Sequence, residues 1–270
     1  MINASGVVFP FTPNHHQEVQ QREMDVEQKA GLQPSDAQAE RHPWCRPRDA
    51  ATLILIDRAG PVAKVLVGRR HHNIVFLPGQ FVFPGGRVDK TDHRVPIATP
   101  VPPGLERSLL KTSPKISQAR ARALVVAAIR EACEETGLCI GRRIEGALPE
   151  LKGSLHPFAE AGILPDPSGL FLIARAITPP GRVKRYDARF FAADASTIVH
   201  RVEDVVHADA ELVELVWVEL GSKPLTGLSP ITRRVLAELE ERLARGELRH
   251  DAPVAFFHAP RGRMEKHILP

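Results

Sequence analysis

Three glutamates at relative positions zero, three and four mark the stretch Arg130-Glu131-Ala132-Cys133-Glu134-Glu135-Thr136-Gly137-Leu138. On a helix, this spacing places all three carboxylates on one face. Clustered carboxylates that are partly buried repel one another and lose hydration, so they require a cation. A hard divalent ion such as Mg²⁺ or Mn²⁺ suits oxygen ligands best. The alternative is the charged last turn of an ordinary helix.

The residues before these glutamates indicate a helix that is buried on several sides. Leu124 and Ala128 fall on the glutamate face, and Val125 and Ile129 fall on the opposite face. A helix that is apolar nearly all round lies in a core. We therefore place the glutamates at the end of a core helix.

The flanking residues predict where this helix begins and ends. Ser113 and Pro114 have the pattern of an N-cap followed by proline at the first helical position. Gly137 is a natural residue for the position after the helix. We predict a helix from about residue 115 to residue 136, and at ~1.5 Å per residue it is about 33 Å long.

Composition places the chain among ordinary globular proteins. Of 270 residues, 43% are hydrophobic and 25% are charged, enough for one large domain with extensions or two small ones. The longest uninterrupted apolar run, residues 123–129, is too short to span a bilayer. The sequence lacks a basic start followed by an apolar core, the pattern that indicates a signal peptide. We therefore expect a cytoplasmic protein without a membrane partner.

Charge weakly favours an anionic small molecule as the partner. The formal net charge is +4, and 27 arginines stand against 9 lysines. Arginine suits bidentate contacts to phosphate. We see no lysine-rich tail and no basic region interleaved with aromatic residues, so nucleic-acid binding is not favoured.

The cysteines predict no disulfide. Cys45, Cys133 and Cys139 are an odd number and lack the spacing of metal ligands. We interpret Cys133 as a residue that simply fills its place on the helix.

The chain divides into an N-terminal arm and one domain. Residues 1–45 are polar, rich in Gln, Glu, His and Pro, and show no sustained period, as is typical of a loose arm. The domain covers residues 46–270. From residue 92 to about residue 112 the chain is rich in proline and is predicted to be irregular, and we treat residues 93–113 as an insertion.

A mixed sheet flanked by helices is the predicted architecture, because strands and helices do not alternate strictly. The strands 51–57 and 63–69 form a hairpin. Gly85 and Gly86 end a strand where the backbone turns tightly or approaches a ligand. Apolar runs and turn signals predict further strands at 169–177, 187–193, 211–218 and 253–257, and helices at 155–163 and 230–243.

The glutamate stretch resembles the second half of the box of the Nudix hydrolase family, Gly-x5-Glu-x7-Arg-Glu-U-x-Glu-Glu-x-Gly-U, where U is aliphatic. The first half is Gly86-Arg-Val-Asp-Lys-Thr-Asp92, with Asp92 where the family has glutamate. Ala132 occupies the first aliphatic place. The spacer, residues 93–129, has 37 residues where the family has seven, so the box is split by 30 additional residues.

The residues upstream of the box resemble the coenzyme A diphosphatase branch, whose signature is roughly Leu-Leu-x-x-Arg-Ser-x3-Arg-x3-Gly-x3-Phe-Pro-Gly-Gly. Residues 66–71, Gly79 and residues 83–86 match it in register. The chain departs from it at His71, where the signature has serine, and at Val75, where it has the second arginine.

This resemblance implies a Nudix α/β/α sandwich with a mixed central sheet, and a homodimer. It also implies hydrolysis of a diphosphate bond between a nucleoside and another group. A diphosphate repels attacking water, so the site must neutralise charge. The implied catalytic residues are Arg130, Glu131, Glu134 and Glu135, and the implied ligands of Mg²⁺ or Mn²⁺ are the three glutamates and the carbonyl of Gly86.

Arg130 would pair with a neighbouring carboxylate, either one of the glutamates or Asp92. Arg69 or Arg70 would contact a substrate phosphate, such as the 3′-phosphate of coenzyme A, beside Gly85 and Gly86. The alternative for the two arginines is surface charge at a strand end.

The general base is left open. Glu211 and Glu214, on a late strand, are candidates, and a solvated strand face is the alternative for both. The segment 93–112 covers the acyl or pantetheine arm of the substrate, or it is a plain surface loop.

The sequence therefore predicts a diphosphatase that cleaves coenzyme A or acyl-coenzyme A to 3′,5′-ADP and (acyl-)phosphopantetheine. A second hypothesis is a Nudix diphosphatase acting on ADP-ribose, NADH or a nucleotide sugar. A third is a catalytically silent Nudix domain that binds a nucleotide. The three intact glutamates argue against the third.

Overall fold

A mixed sheet of nine strands lies at the centre of the described part of the chain. The structure, a computed structural model, describes residues 45–113, 115–222, 225–260 and 263–270. The predicted N-terminal arm, apart from Cys45, lies outside the described residues.

The described strands are numbered in chain order and belong to two sheets. They are β1 (Arg48–Asp57), β2 (Lys64–Arg70), β3 (Phe81–Val82), β4 (Gly85–Arg87), β5 (Leu138–Arg143), β6 (Ile163–Pro165), β7 (Phe171–Ile177), β8 (Tyr186–Asp194), β9 (Ile198–Arg201), β10 (Leu212–Glu219), β11 (Val254–His258) and β12 (Glu265–Leu269). The described helices are α1 (Pro103–Thr112), α2 (Gln118–Thr136), α3 (His156–Glu160) and α4 (Pro230–Ala244).

The large sheet mixes parallel and antiparallel pairs. Its strand order is β10-β2-β1-β8-β7-β11-β12, with β3 beside β2 and β4 beside β1. The pairs β1–β8 and β7–β11 are parallel, and the others are antiparallel. A smaller antiparallel sheet has the order β6-β5-β9.

The two faces of the large sheet pack against different helices. Along β1, Leu53 and Leu55 join the core that contains α2, while Ile54 and Ile56 join the core that contains α4. Successive side chains of a strand point to opposite faces, so one buried strand serves both cores. The layers are helix, sheet and helix, and the predicted α/β/α architecture with a mixed central sheet is confirmed.

The predicted strands and the helix at 230–243 are present with small changes at their ends. The helix predicted at 155–163 is shorter, His156–Glu160, and Ile163 begins β6 instead. The hairpin of β1 and β2 is antiparallel, with Ile56 opposite Val65. The sequence interpretation missed β5, β6, β9 and β12. Among the described residues, no helix has the length and apolar character needed to cross a membrane.

The predicted start of the central helix was wrong. α2 begins at Gln118, and the side chain of Ser117 caps it by accepting a hydrogen bond from the Arg120 N–H at 3.2 Å. Ser113 follows the end of α1, is buried, and accepts a hydrogen bond from Arg189 at 2.9 Å. The N-cap pattern at Ser113 therefore belongs to a buried polar contact.

The prediction of an irregular segment from residue 92 to residue 112 was wrong in its second half, because residues 103–112 form α1, whereas residues 95–102 contain no helix or strand. Leu105 and Leu109 of this helix are fully buried in the core that contains α2. Pro103 is the first helical residue, a position that tolerates proline because the N–H there needs no partner within the helix.

Cys133 and Cys139 form a disulfide, which corrects the expectation that the chain has none. Their Cα atoms are 4.6 Å apart, and the bond joins the last turn of α2 to β5 on either side of Gly137. Cys45 is a free thiol. An odd number of cysteines concealed one pair that the fold brings together.

Gly137 ends α2 in the predicted manner. Its φ is +74°, in the left-handed region, and its N–H donates to the Cys133 carbonyl oxygen. A Cβ at this position would overlap the carbonyl oxygen of Val202. Glycine therefore meets both a conformational and a steric requirement at the end of the helix that carries the glutamates.

We expect Gly137→Ala to lower the free energy of unfolding by about 2 kcal/mol or more, because it adds a clash to backbone strain. Gly146→Ala is the matched control, since Gly146 has φ +94° and open space around the missing Cβ. It should cost about 1 kcal/mol. Urea unfolding measures both variants, and equal losses would show that the contact with Val202 contributes nothing.

Candidate active site

The side chain of Arg130 joins the two halves of the split box. Its Nε donates to Asp92 Oδ1 at 3.0 Å, and its Nη2 donates to Asp92 Oδ2 at 3.2 Å and to the Arg87 carbonyl oxygen at 2.9 Å. Its Nη1 donates to Glu131 Oε1 at 2.8 Å and to Glu134 Oε2 at 2.9 Å. One guanidinium group thus binds three carboxylates and one backbone carbonyl.

Asp92 is held in place by its own turn as well as by Arg130. It lies in a 3-10 turn over residues Asp92–Arg94, is buried, and accepts a hydrogen bond from the Asp89 N–H at 2.7 Å. Two parallel hydrogen bonds from a guanidinium fork to a carboxylate combine charge with a defined geometry. The aspartate therefore occupies a built position, although the family pattern has glutamate there.

Arg130 remains a cation in this setting. Burial alone would lower the pKa of its guanidinium, but hydrogen bonds and charge from Asp92 and Glu131 raise that pKa above its ordinary value. The side chain is only 5% exposed, so its charge depends on these partners for compensation.

Glu135 is the most deeply buried of the three glutamates. Burial raises its pKa well above the ordinary value, and the negative charge of Glu211 raises it further. The Gly85 N–H opposes this by donating to Glu135 Oε2 at 2.8 Å. A backbone N–H of the glycine turn thus contacts a carboxylate of α2.

Burial also raises the pKa of Glu131, to about 7. The charge and hydrogen bond of Arg130 lower this pKa, while the charges of Glu134 and Glu211 raise it. Glu134 differs from the other two, because its side chain is 46% exposed. The cluster therefore combines two poorly hydrated carboxylates with one that reaches solvent.

The two glycines lie where side chains could not fit. A Cβ on residue 86 would lie 2.5 Å from Cδ of Glu131. Gly85 has φ +156°, and a Cβ there would lie 2.6 Å from the Thr52 Cα. The strand β4 can therefore approach α2 closely only because these residues lack side chains.

Arg69 and Arg70 are both engaged in ion pairs with β10 and the residue before it. Arg69 Nε donates to Glu214 Oε2 at 2.8 Å, and Arg70 Nη2 donates to Glu211 Oε1 at 2.8 Å. The charge of Arg70 lowers the pKa of Glu135, so Arg70 is within electrostatic reach of the box. Arg69 instead lies 4.6 Å from the centre of the Phe81 ring.

A cleft of about 370 Å³ adjoins Glu211. It is lined by His71, Asn73, Ile74, Asp209, Ala210 and Glu211. Val75 lies beside this segment and is 65% exposed. The loop after β2 and the residues before β10 together form the wall of this space.

The structure brings most of the predicted site residues together. The cluster contains Arg130, Glu131, Glu134, Glu135, Gly85 and Gly86. Arg70 approaches the cluster through its pair with Glu211, whereas Arg69 faces Glu214 and Phe81. Sequence reasoning missed the Arg87 carbonyl as a partner of Arg130, since no motif signals a backbone acceptor.

The donor set fits a divalent cation. Five carboxylates, those of Asp92, Glu131, Glu134, Glu135 and Glu211, are accompanied by two guanidinium groups, those of Arg130 and Arg70. When all are ionised, three negative charges remain uncompensated among these groups. Oxygen donors with excess negative charge are what Mg²⁺ and Mn²⁺ bind.

Comparison with solved structures identifies this fold. A Nudix hydrolase from Alicyclobacillus acidocaldarius is similar over 77% of this chain and 99% of its own, at 27% identity and a TM-score of 0.53. The chain has the Nudix fold. This likeness also supports the expected enzyme class, a Nudix diphosphatase.

Two further Nudix structures resemble the chain at lower TM-scores. A MutT Nudix hydrolase from Burkholderia pseudomallei matches 72% of this chain and 99% of its own, at 18% identity and a TM-score of 0.41. The Nudix domain of Shewanella oneidensis NrtR, solved with ADP-ribose, matches 81% and 98%, at 13% identity and a TM-score of 0.39. No protein-family model and no curated protein matches the chain.

The raised pKa of Glu131 predicts how stability depends on pH. Folding raises this pKa from an ordinary 4.5 to about 7, so the folded protein holds a proton that the unfolded chain releases. With a chelator present, the contribution of Glu131 to the free energy of unfolding should be fully present below pH 4.5 and lost as the pH rises through about 7. Mg²⁺ should oppose this loss, because a cation stabilises the ionised carboxylates.

Thermal unfolding at pH 5 and pH 8, with chelator and with Mg²⁺, measures the effect. The increase in Tm caused by Mg²⁺ should be larger at pH 8, and Glu131→Gln should reduce that difference. A Mg²⁺ effect of the same size at both pH values would contradict the expected behaviour of Glu131.

Proposed function

We propose that this Nudix chain is a metal-dependent diphosphatase that hydrolyses coenzyme A or acyl-coenzyme A to 3′,5′-ADP and (acyl-)phosphopantetheine. The observation that supports it is the assembly of one carboxylate cluster from both halves of the box around Arg130. The 37-residue spacer does not prevent this assembly, since Asp92 and Arg130 are 3.0 Å apart.

Glu131, Glu134 and Glu135, with the carbonyl of Gly86, would hold Mg²⁺ or Mn²⁺. When bound, the cation would neutralise phosphate charge and lower the pKa of a bound water. Arg130 positions the first two carboxylates through its hydrogen bonds at 2.8 and 2.9 Å. The Gly85 N–H fixes the third through its contact with Glu135.

Glu211 is our candidate for the general base. Its charge affects the pKa of both Glu131 and Glu135, so it lies within electrostatic reach of the cluster. Arg70 orients it at 2.8 Å, and its side chain is 51% exposed, which allows contact with water. In the reaction, water attacks one phosphorus, its proton passes to Glu211, and the bond to the bridging oxygen breaks.

The coenzyme A substrate rests on the upstream signature and on the space beside it. Arg70 pairs with Glu211, which lines the cleft, and its charge lowers the pKa of Glu135, so a phosphate bound in the cleft would lie near its guanidinium while Glu211 stays paired. Val75 replaces the second arginine of the signature and offers an exposed apolar side chain instead. The alternatives are ADP-ribose, NADH or a nucleotide sugar, and a catalytically silent nucleotide-binding domain.

The segment 93–113 is assigned a packing role rather than that of a substrate cover. Its helix α1 buries Leu105 and Leu109. Arg122 of α2 holds the preceding loop by donating to the carbonyl oxygens of His93, at 3.0 Å, and Val95.

We expect Glu134→Gln and Glu135→Gln to lower turnover on the order of 10²-fold or more while the protein stays folded, because each removes one anionic oxygen ligand. Glu150→Gln is the matched control, since Glu150 is 75% exposed and its ion pair with Lys152 lies at the surface, where such a pair contributes little. Steady-state kinetics with Mg²⁺ measure the effect. Near-normal turnover in both cluster variants would refute the assigned ligands.

A substrate panel tests the rest of the proposal. Coenzyme A, acetyl-coenzyme A, ADP-ribose, NADH and a nucleotide sugar are incubated with Mg²⁺ and Mn²⁺, and the products are separated by chromatography. We expect 3′,5′-ADP from coenzyme A. Preferred cleavage of ADP-ribose or NADH would discard the coenzyme A assignment, and no turnover of any substrate would favour the silent domain.

A further inference from the structure

Two histidines and a glutamate share one face of the hairpin formed by β11 and β12. In the register of these strands, His258 lies opposite Glu265, and Phe256 lies opposite His267. Residues that are opposite each other, or two apart along a strand, project from the same face of a sheet. His258, Glu265 and His267 therefore form a group on this ribbon, which is the edge of the large sheet.

The three side chains present their donor atoms to a common point. One ligand atom from each lies within 4.8 Å of the other two. His267 Nε2 is 3.1 Å from Glu265 Oε2, and the centres of the His258 and His267 rings are 4.7 Å apart. A tetrahedral ion with bonds of about 2.0–2.2 Å holds its donors roughly 3.4 Å apart. The 3.1 Å between His267 Nε2 and Glu265 Oε2 is already close to that spacing.

The opposite face of the hairpin anchors the group. Phe257 is buried in the core that contains α4. Lys266 Nζ lies 2.8 Å from Glu238 Oε2 of α4. Because both strands are fixed from behind, the backbone positions of the three donors are set before any ligand binds.

We propose that His258, Glu265 and His267 form a binding site for a transition-metal ion such as Zn²⁺ or Ni²⁺. Two imidazoles and one carboxylate are a typical ligand set for these ions, and they leave a coordination position for water. The carboxylate cluster of the candidate active site has only oxygen donors, which favour Mg²⁺ or Mn²⁺. The edge site is thus separate in chemistry and does not depend on the proposed hydrolase activity.

Isothermal titration of the full chain with Zn²⁺, in saturating Mg²⁺, tests the site. Mg²⁺ occupies the oxygen-only cluster and leaves imidazole sites available. We expect His258→Ala and His267→Ala each to weaken one Zn²⁺ binding event at least about tenfold, because even the loss of a residue that only orients a ligand lowers metal affinity about 10–100-fold. Unchanged affinity and stoichiometry in both variants would overturn the proposal.

His156→Ala is the matched control. His156 is exposed and lies 3.5 Å from Glu160, so it also belongs to a histidine–carboxylate pair. Within the part of the chain that the structure describes, no third donor completes that pair. It should bind Zn²⁺ as the unaltered protein does. If His156→Ala weakened binding as much as the edge variants do, the assignment to the hairpin would be wrong.

A spectroscopic measurement covers the case in which a histidine variant folds poorly. Co²⁺ should give visible absorption bands typical of imidazole coordination with the unaltered protein. Glu265→Gln, which keeps shape and removes charge, should change these bands, whereas Glu134→Gln should leave them unchanged. Bands that respond to Glu134→Gln alone would place the ion in the carboxylate cluster and overturn the proposal.

Discussion

The candidate site depends on the buried ion pair between Asp92 and Arg130. A buried guanidinium that loses its carboxylate partner is left as an uncompensated charge, which costs several kcal/mol. Here the same guanidinium also holds Glu131, Glu134 and the Arg87 carbonyl. The pair therefore fixes the position of β4 and its following turn against α2. As a result, the glycine turn lies close to the carboxylates.

Around this pair, negative charges outnumber positive charges. Arg130 compensates Asp92, Glu131 and Glu134, whereas Glu135 is also buried and accepts a hydrogen bond from the Gly85 N–H. Burial and the neighbouring Glu211 both work against ionisation of this group. Such an arrangement lowers the stability of the folded protein. This cost is typical of a functional site, where a cation, or an anionic ligand that brings its own cation, completes the charge balance.

Much of the fold and of the candidate site could be predicted from sequence, because local patterns report local requirements. The apolar surround of α2, the helix end at Gly137 and the hairpin of β1 and β2 all follow from short-range rules. The parts that were missed depend on the surroundings. Pro103 is compatible with either a loop or the first turn of a helix, and only the burial of Leu105 and Leu109 decides between them.

Other omissions have the same cause. Ser113 and Ser117 are both suitable caps, and the contact of Ser113 with Arg189, distant in sequence, determines which of them caps α2. The disulfide joins cysteines on both sides of a turn whose shape Gly137 sets. The strand β12 contains Glu265, Lys266 and His267, and it is recognisable only from its partner β11.

The return of the chain to Arg130 after a long excursion has a consequence for how such proteins are detected. A motif with fixed spacing measures contour length along the polypeptide, whereas an ion pair is sensitive only to separation in space. Because Asp92 and Arg130 close the excursion at its two ends, its length could change during evolution without moving a single carboxylate. Proteins with excursions of different length would then share one chemical site while appearing unrelated to any comparison that counts residues.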